Sequence, residues 1–360
     1  MQGLHPGSRT QTRHLMGGPT RGLSTDCGHG QRGSAPGPDA GGVNPRLKTI
    51  AAGQGGVVSR AQAMSAGYTR EQISRRLGDG RWERIRYGQY AECLDLRDLP
   101  PWERELLRHR RLVHAAVNSM CPGSAVVSHH SALVMHGVPV WQADLSEVQL
   151  TRAAGMRSGP KTGVRHHRSR LGASDATAVA GLAVTALTRA VVEVAGTSSF
   201  EAAVVSADAA FRRPEVSADE LLRLREVTHN WPGGPRIRAV LDFADAQAES
   251  VGETRLRLLF HNEGMPVPVL QAEFADADGF IGRVDFYFPE YNTVVEFDGL
   301  AKYGEGTREA VIREKLREDR LRALGLEVVR ITWADLEHPA RTAMRIRQAF
   351  ARARRTPLAS

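Results

Sequence analysis

The sequence predicts a multidomain α/β protein, and three observations carry that prediction. Stretches of helical period alternate with β-branched runs along most of the chain. A start rich in Gly, Pro and Arg gives way near residue 45 to short helical segments and an aromatic, arginine-rich hairpin pattern. Near the C-terminus, two apolar strands carry three carboxylates. With 360 residues the chain has material for two or three cored domains. A net charge of +8 favours a polyanionic partner. Cys27, Cys93 and Cys121 lack metal-ligand spacing and leave an odd thiol, which fits a reducing cytoplasm. No apolar run approaches the ~20 residues of a membrane-spanning helix. The first residues lack the continuous apolar stretch of a secretion signal, so no membrane partner is expected.

Residues 1–44 show no hydrophobic periodicity, and their composition predicts a disordered basic tail. From Leu47 to Ala52 a short helix is expected, broken at Gly55-Gly56. Ser59 is placed to cap a second helix, and Thr69 with Gln72 forms a capping-box pair opening a third. Ile73 and Leu77 make that helix's apolar stripe, with Arg70, Arg75 and Arg76 mostly off it. Gly78-Asp79-Gly80 stops it, and Arg81 to Tyr90 reads as a hairpin turning near Gly88. Helix–turn–helix followed by a β wing is a winged helix–turn–helix, expected over residues 45–95, whose third helix enters the major groove. Arg70, Arg75, Arg76, Arg81, Arg84 and Arg86 outnumber Glu71, Asp79 and Glu83, a surplus suited to DNA phosphates. A protein-docking role for the same module stays open.

Residues 100–196 predict an α/β middle domain. Helices are expected from Trp102 to Val117, Ser128 to His136 and Leu187 to Val194, with strands near Glu147–Thr151 and Gly163–His167. His129 and His130 invite a metal reading. Adjacent helical residues point about 100° apart, so a structural or hydrogen-bonding role is expected for them. Arg165-His166-His167-Arg168 is a basic strand end and a candidate nucleic-acid contact. Residues 197–249 read as a helical connector, and 353–360 as a tail.

In the last domain, expected over residues 250–352, Glu296 and Asp298 lie on one face of a Val-Val-x-Phe strand, roughly 7 Å apart along the chain. The preceding run alternates Val284, Phe286 and Phe288 with Asp285 and Tyr287, so a hairpin through Pro289–Asn292 brings Asp285 to the same polar face. Buried carboxylates need a cationic partner, and a divalent metal is the simplest candidate, with a structural ion pair as the alternative. Ser250 with Glu253 reads equally as a capping box or as a metal- or water-positioning group. The helix from about Arg308 to Leu324 mixes charges at helical spacing, and Lys315 is a candidate phosphate contact.

Two resemblances attach to these residues. Gly67 and the run Gly80-Arg81-Trp82-Glu83-Arg84 are similar to the N-terminal domain of AbiEi-type antitoxins of abortive-infection toxin–antitoxin systems, and the middle domain resembles the one that follows it there. That resemblance implies DNA and a cognate toxin as partners. Asp285, then Glu296-Phe297-Asp298-Gly299 and Lys302-Tyr303, resembles the core of the PD-(D/E)XK nuclease superfamily, more narrowly its very-short-patch-repair-endonuclease-like domains. It covers about residues 250–350, with Glu253 in the first helix and Glu314–Leu321, Gly325 and Val328–Arg330 at the close.

The nuclease resemblance implies a restriction-endonuclease-like α/β fold with a mixed central sheet. It implies Mg²⁺ or Mn²⁺ held by Asp285, Glu296 and Asp298, with Lys302 neutralising developing charge and Glu253 orienting a second metal or water. Metal-dependent cleavage of DNA, in repair or phage defence, would follow. One position departs: Asp298 stands where the superfamily's third motif has lysine, with Lys302 or Lys315 as substitutes. The alternative is a non-catalytic DNA-binding regulator or antitoxin with a degenerate nuclease fold.

Overall fold

Asn44 caps the first described helix, accepting a hydrogen bond from the Arg46 amide and donating its side-chain amide to the Ala66 carbonyl. The computed structural model describes residues 44–152, 159–160, 163–299 and 308–354. The expected terminal tails and Lys302 lie outside the described residues, apart from Asn44, Ala353 and Arg354 at the tail boundaries.

Helix α1 (Pro45–Ala52) and strand β1 (Val57–Ser59) precede α2 (Arg60–Ser65) and α3 (Arg70–Gly78). Reciprocal capping boxes, Ser59 with Gln62 and Thr69 with Gln72, satisfy first-turn amides that would otherwise lack partners. Strands β2 (Trp82–Arg86) and β3 (Gln89–Glu92) form the hairpin, and β1 adds antiparallel to β3. Gly88 takes φ +71 at the tip, a conformation glycine adopts without steric cost. Leu47, Val58, Ala63, Ile73, Trp82 and Tyr90 close one small core under these elements. This is the winged helix–turn–helix arrangement.

The middle region begins with α4 (Pro101–Asn118), β4 (Val126–Val127), α5 (His129–His136), β5 (Val148–Arg152), β6 (Gly159–Pro160) and β7 (Val164–Arg168). A hairpin, β8 (Ala176–Val179) and β9 (Leu182–Thr185), and helix α6 (Leu187–Thr197) follow. The strands make one mixed sheet in the order β6-β7-β5-β4-β9-β8. Helices α7 (Phe200–Phe211), α8 (Ala218–Val227) and α9 (Gly234–Phe243) fill the segment expected as a connector. They are more than that. Val204, Ala207, Leu224, Ile237 and Val240 are buried in the same apolar cluster as Val127, Leu150 and Val184 of the sheet. An apolar helix face needs a partner, and here the partner is the middle core.

The C-terminal region runs α10 (Val251–Asn262), β10 (Val269–Asp276), β11 (Gly279–Phe288), β12 (Thr293–Asp298), α11 (Arg308–Ala323), β13 (Glu327–Thr332), α12 (Trp333–Leu336) and α13 (Pro339–Ala353). Its sheet order is β10-β11-β12-β13, with only β12 and β13 parallel. Cores form on both faces. Phe260, Phe286, Phe288, Val295 and Ile346 pack on one, and Val284, Val294, Leu321 and Leu326 on the other.

The strict alternation expected for β11 fails at one point: Val284 and Phe286, two residues apart, join different cores. Asp285 sits between them, and the register sets it near Gln271, whose φ is +53. On β10 the same change of face occurs across Gln271, where Leu270 and Ala272 pack in different cores.

Helix α10 fastens this region to the middle one. Arg257 donates to both oxygens of the buried Asp208 on α7, at 2.9 Å each, and Thr254 adds a bond at 2.8 Å. Arg255 lies 4.5 Å from the centroid of Trp141, which stacks on Trp333. Among the described residues, no helix is long and apolar enough to cross a membrane.

Candidate nucleic-acid interface and acidic sheet edge

On the winged helix, α3 buries Ile73 and leaves Arg70, Ser74 and Arg75 exposed. Not all the predicted cations share that disposition. Arg76 lies over the Tyr68 and Trp82 rings, 5.2 and 5.6 Å from their centroids, a cation–π arrangement that ties it to the module's own core. Arg81 donates its Nε to Asp79 at 2.8 Å. Arg84 on the wing is exposed, whereas Arg86 is half-buried. Arg70 and Arg75 on the helix and Arg81 and Arg84 at the wing are the exposed members of the predicted set. Glu83 points the other way and pairs with Arg111 of α4, which fixes the wing against the middle region.

At the C-terminal sheet, the three predicted carboxylates occupy neighbouring strand positions, and each has a partner. The β11–β12 ladder ends at Phe286 and Val295. Beyond it, Asp285 Oδ2 accepts the Phe297 amide at 2.7 Å, so a side chain takes over where the backbone partner has left. Glu296 is buried and accepts from Arg317 of α11, with Arg330 of β13 at 3.7 Å. Burial pushes the Glu296 carboxyl up, against the pull of Arg317 and Arg330. Asp298 lies 3.7 Å from Arg330 Nη1. Glu314 and Glu318 complete the network on the same two guanidinium groups.

Glu253 is also tied down. Its amide donates to Ser250 Oγ at 3.1 Å, and its Oε2 accepts the Glu249 amide at 2.8 Å and Gln271 Nε2 at 3.0 Å. The cap is therefore shifted one residue from the expected reciprocal pair. Burial raises the Glu253 carboxyl, opposed by the Glu249 hydrogen bond. Lys315 is exposed on α11.

A divalent ion needs carboxylate oxygens with open lone pairs converging within about 2.5 Å of one point. As placed, Glu296 and Asp298 spend their charge on Arg317 and Arg330, and Asp285 holds a backbone amide. Among the described residues, no three His, Cys, Asp or Glu side chains form a metal-holding group. The set does not fit Mg²⁺ or Mn²⁺ unless both guanidinium groups leave. It fits a structural ion network fastening α11 to β12 and β13.

The middle region holds a second buried polar cluster. His129 stacks on His167 at 3.6 Å between ring centroids, and His129 Nδ1 contacts Ser128 Oγ at 3.0 Å. His130 Nε2 meets the Glu147 carbonyl at 3.2 Å, away from His129, as the 100° argument requires. Burial lowers His129 and His167, each to about 3, and keeps the stacked rings neutral. Sequence reasoning missed Glu193, buried, which accepts from the His129 amide and from Arg189. The available signal was an Arg-x-x-x-Glu pair inside an otherwise apolar helix, a pattern that marks a paired, desolvated charge.

The N-terminal module is a small arginine-rich helical and hairpin unit set on an α/β body whose acidic sheet positions are met by arginines of the same chain. Residues 45–92 match the family model described as "Transcriptional regulator, AbiEi antitoxin". The chain is 30% identical over 287 residues to the uncharacterized protein Rv2248 of Mycobacterium tuberculosis strain H37Rv, covering 79% of this chain and 98% of that protein. The same figures hold for the uncharacterized protein MT2308 of strain CDC 1551. The chain belongs to the family of these mycobacterial proteins. Among solved structures, that of the RV2827C protein from Mycobacterium tuberculosis is similar with a TM-score of 0.34 at 15% identity, covering 55% of this chain and 80% of that one.

Proposed function

We propose that this chain is a DNA-binding transcriptional regulator of antitoxin type, whose C-terminal nuclease-like region binds a partner without cutting DNA. The observation that carries the reading is the coincidence of the antitoxin-family match, residues 45–92, with a winged helix that leaves Arg70, Arg75 and Arg84 exposed. Helix α3 enters the major groove and the wing tracks the phosphates. A cognate toxin is the protein partner that an antitoxin family supports. The guanidinium groups on Glu296 and Asp298 support the non-catalytic reading of the C-terminal region.

Metal-dependent DNA cleavage is the second reading. What favours it is the meeting of Asp285 and Glu296 where β11 parts from β12, in a mixed sheet of the kind the nuclease resemblance implies.

A binding titration tests the DNA contact that both readings share, and a cleavage assay separates them. Fluorescence anisotropy with a labelled duplex should show Arg70→Ala with Arg75→Ala binding about tenfold more weakly, with a salt slope reduced by about two. The unsubstituted chain should leave duplex, mismatched and flap DNA intact with Mg²⁺ or Mn²⁺. Cleavage that is lost in a folded Glu296→Ala variant would put the second reading first.

A further inference from the structure

We propose that duplex DNA is held beyond the winged helix, along a strip running from the wing tip onto the far end of strand β7, with Tyr87 and Arg84 at one end and Arg168 and Arg170 at the other. The inference rests on the DNA-binding reading above and adds a second contact to it.

Tyr87 is the first observation. It is 91% exposed at the tip of the β2–β3 hairpin, where a small polar residue would serve the turn equally well. A ring in water contributes nothing to the core. Its flat apolar face suits a sugar or a groove wall, and its phenol can donate to a phosphate.

The second observation is where that tip lies. Arg86, its neighbour, holds Nη1 3.8 Å from the point a Cβ on Gly163 would occupy, so the wing abuts the residue that leads into β7. The third is charge. From Val164 to Arg170 the chain carries three arginines and no acidic residue. Arg168 and Arg170 are exposed, whereas Arg165 lies on the other face of β7, half exposed, and its Nε donates to Glu147 at 2.7 Å. Cations on a strand adjoining a DNA-binding wing match the phosphate backbone, which positions a duplex without reading its sequence. His167, between them, is committed to the stack with His129 and takes no part.

The test uses the full chain and a labelled mixed-sequence duplex, with anisotropy across a salt series and hydroxyl-radical footprinting. Tyr87→Ala should weaken binding about tenfold, the scale of one aromatic contact to nucleic acid. Arg168→Ala with Arg170→Ala should lower the slope of log K against log salt by about two and shorten the footprint at one end. This pair leaves the Arg165–Glu147 contact intact, and an unchanged urea midpoint separates lost DNA contact from a folding defect. Parental affinity, slope and footprint in both variants, with Arg70→Ala and Arg75→Ala still crippling binding, overturn the strip and leave the winged-helix reading standing. Tyr87→Ala binding DNA normally but losing a protein partner also overturns it. A chain that binds no duplex at all overturns both.

Discussion

The winged helix and the C-terminal sheet use the same charged side chains in opposite ways. On α3, Arg70 and Arg75 face water with the apolar stripe turned inward. On β12, Glu296 faces inward, and its charge is met by arginines from α11 and β13. An exposed charge costs little to leave in water and is available to a partner. A desolvated one must be compensated within the fold, and the compensation makes it structural. Residue type alone therefore says little about function; what matters is whether the counter-charge belongs to the same molecule.

The contrast is most exposed to failure at Glu296. Glu296→Ala removes the carboxylate shared by Arg317 and Arg330 and should cost about 3 kcal/mol, read as a lowered urea midpoint at unchanged slope. Arg317 keeps Glu314 in that variant, so adding Arg317→Met should not restore the parental midpoint. An alanine variant as stable as the parent would mean the network holds nothing together, and the comparison would break.

A pH series sharpens it next. His129 and His167 are held at about 3 and His109 at about 4 by burial, against 6.5 in an unfolded chain. Depressed histidine values mean that the unfolded state binds the extra protons. The associated stability is complete above about pH 6.5 and is lost as pH falls toward 4. Residues 45–95 contain no histidine, so this histidine-linked loss of stability falls on the middle region. Thermal unfolding between pH 7 and 4 should show the midpoint falling, and His167→Gln should flatten the profile.

The smallest expected effect is local. Thr69→Ala removes one half of the capping box on α3 and should cost about 1 kcal/mol, measured by chemical denaturation. Its effect on duplex binding should be smaller than that of Arg70→Ala with Arg75→Ala, since the cap positions the helix and touches no phosphate.

Much of the N-terminal module was legible because its determinants are local. Ser59 and Thr69 announce helix starts, Gln72 completes a box three residues on, and Gly88 permits the hairpin tip. In the C-terminal region the hairpin of β11 and β12 was equally readable from its short turn. The change of core between Val284 and Phe286 was not. Two-residue alternation assigns a residue its side only while the strand stays regular, and Gln271, on another strand, marks the interruption. Nor did the composition of residues 197–249 separate a linker from a core layer, because an amphipathic helix looks the same whichever apolar surface receives it.

The order of side chains along the chain was enough to specify where helices begin, which strands pair through short turns, and that three acids in an apolar sheet demand positive charge nearby. Which positive charge answers that demand was settled by packing. Arg317 and Arg330 lie 21 and 34 positions beyond Glu296 and reach it only once α11 and β13 have docked on the sheet. Electrostatic pairing depends on distance in space, and a linear sequence leaves that distance open until the chain has folded.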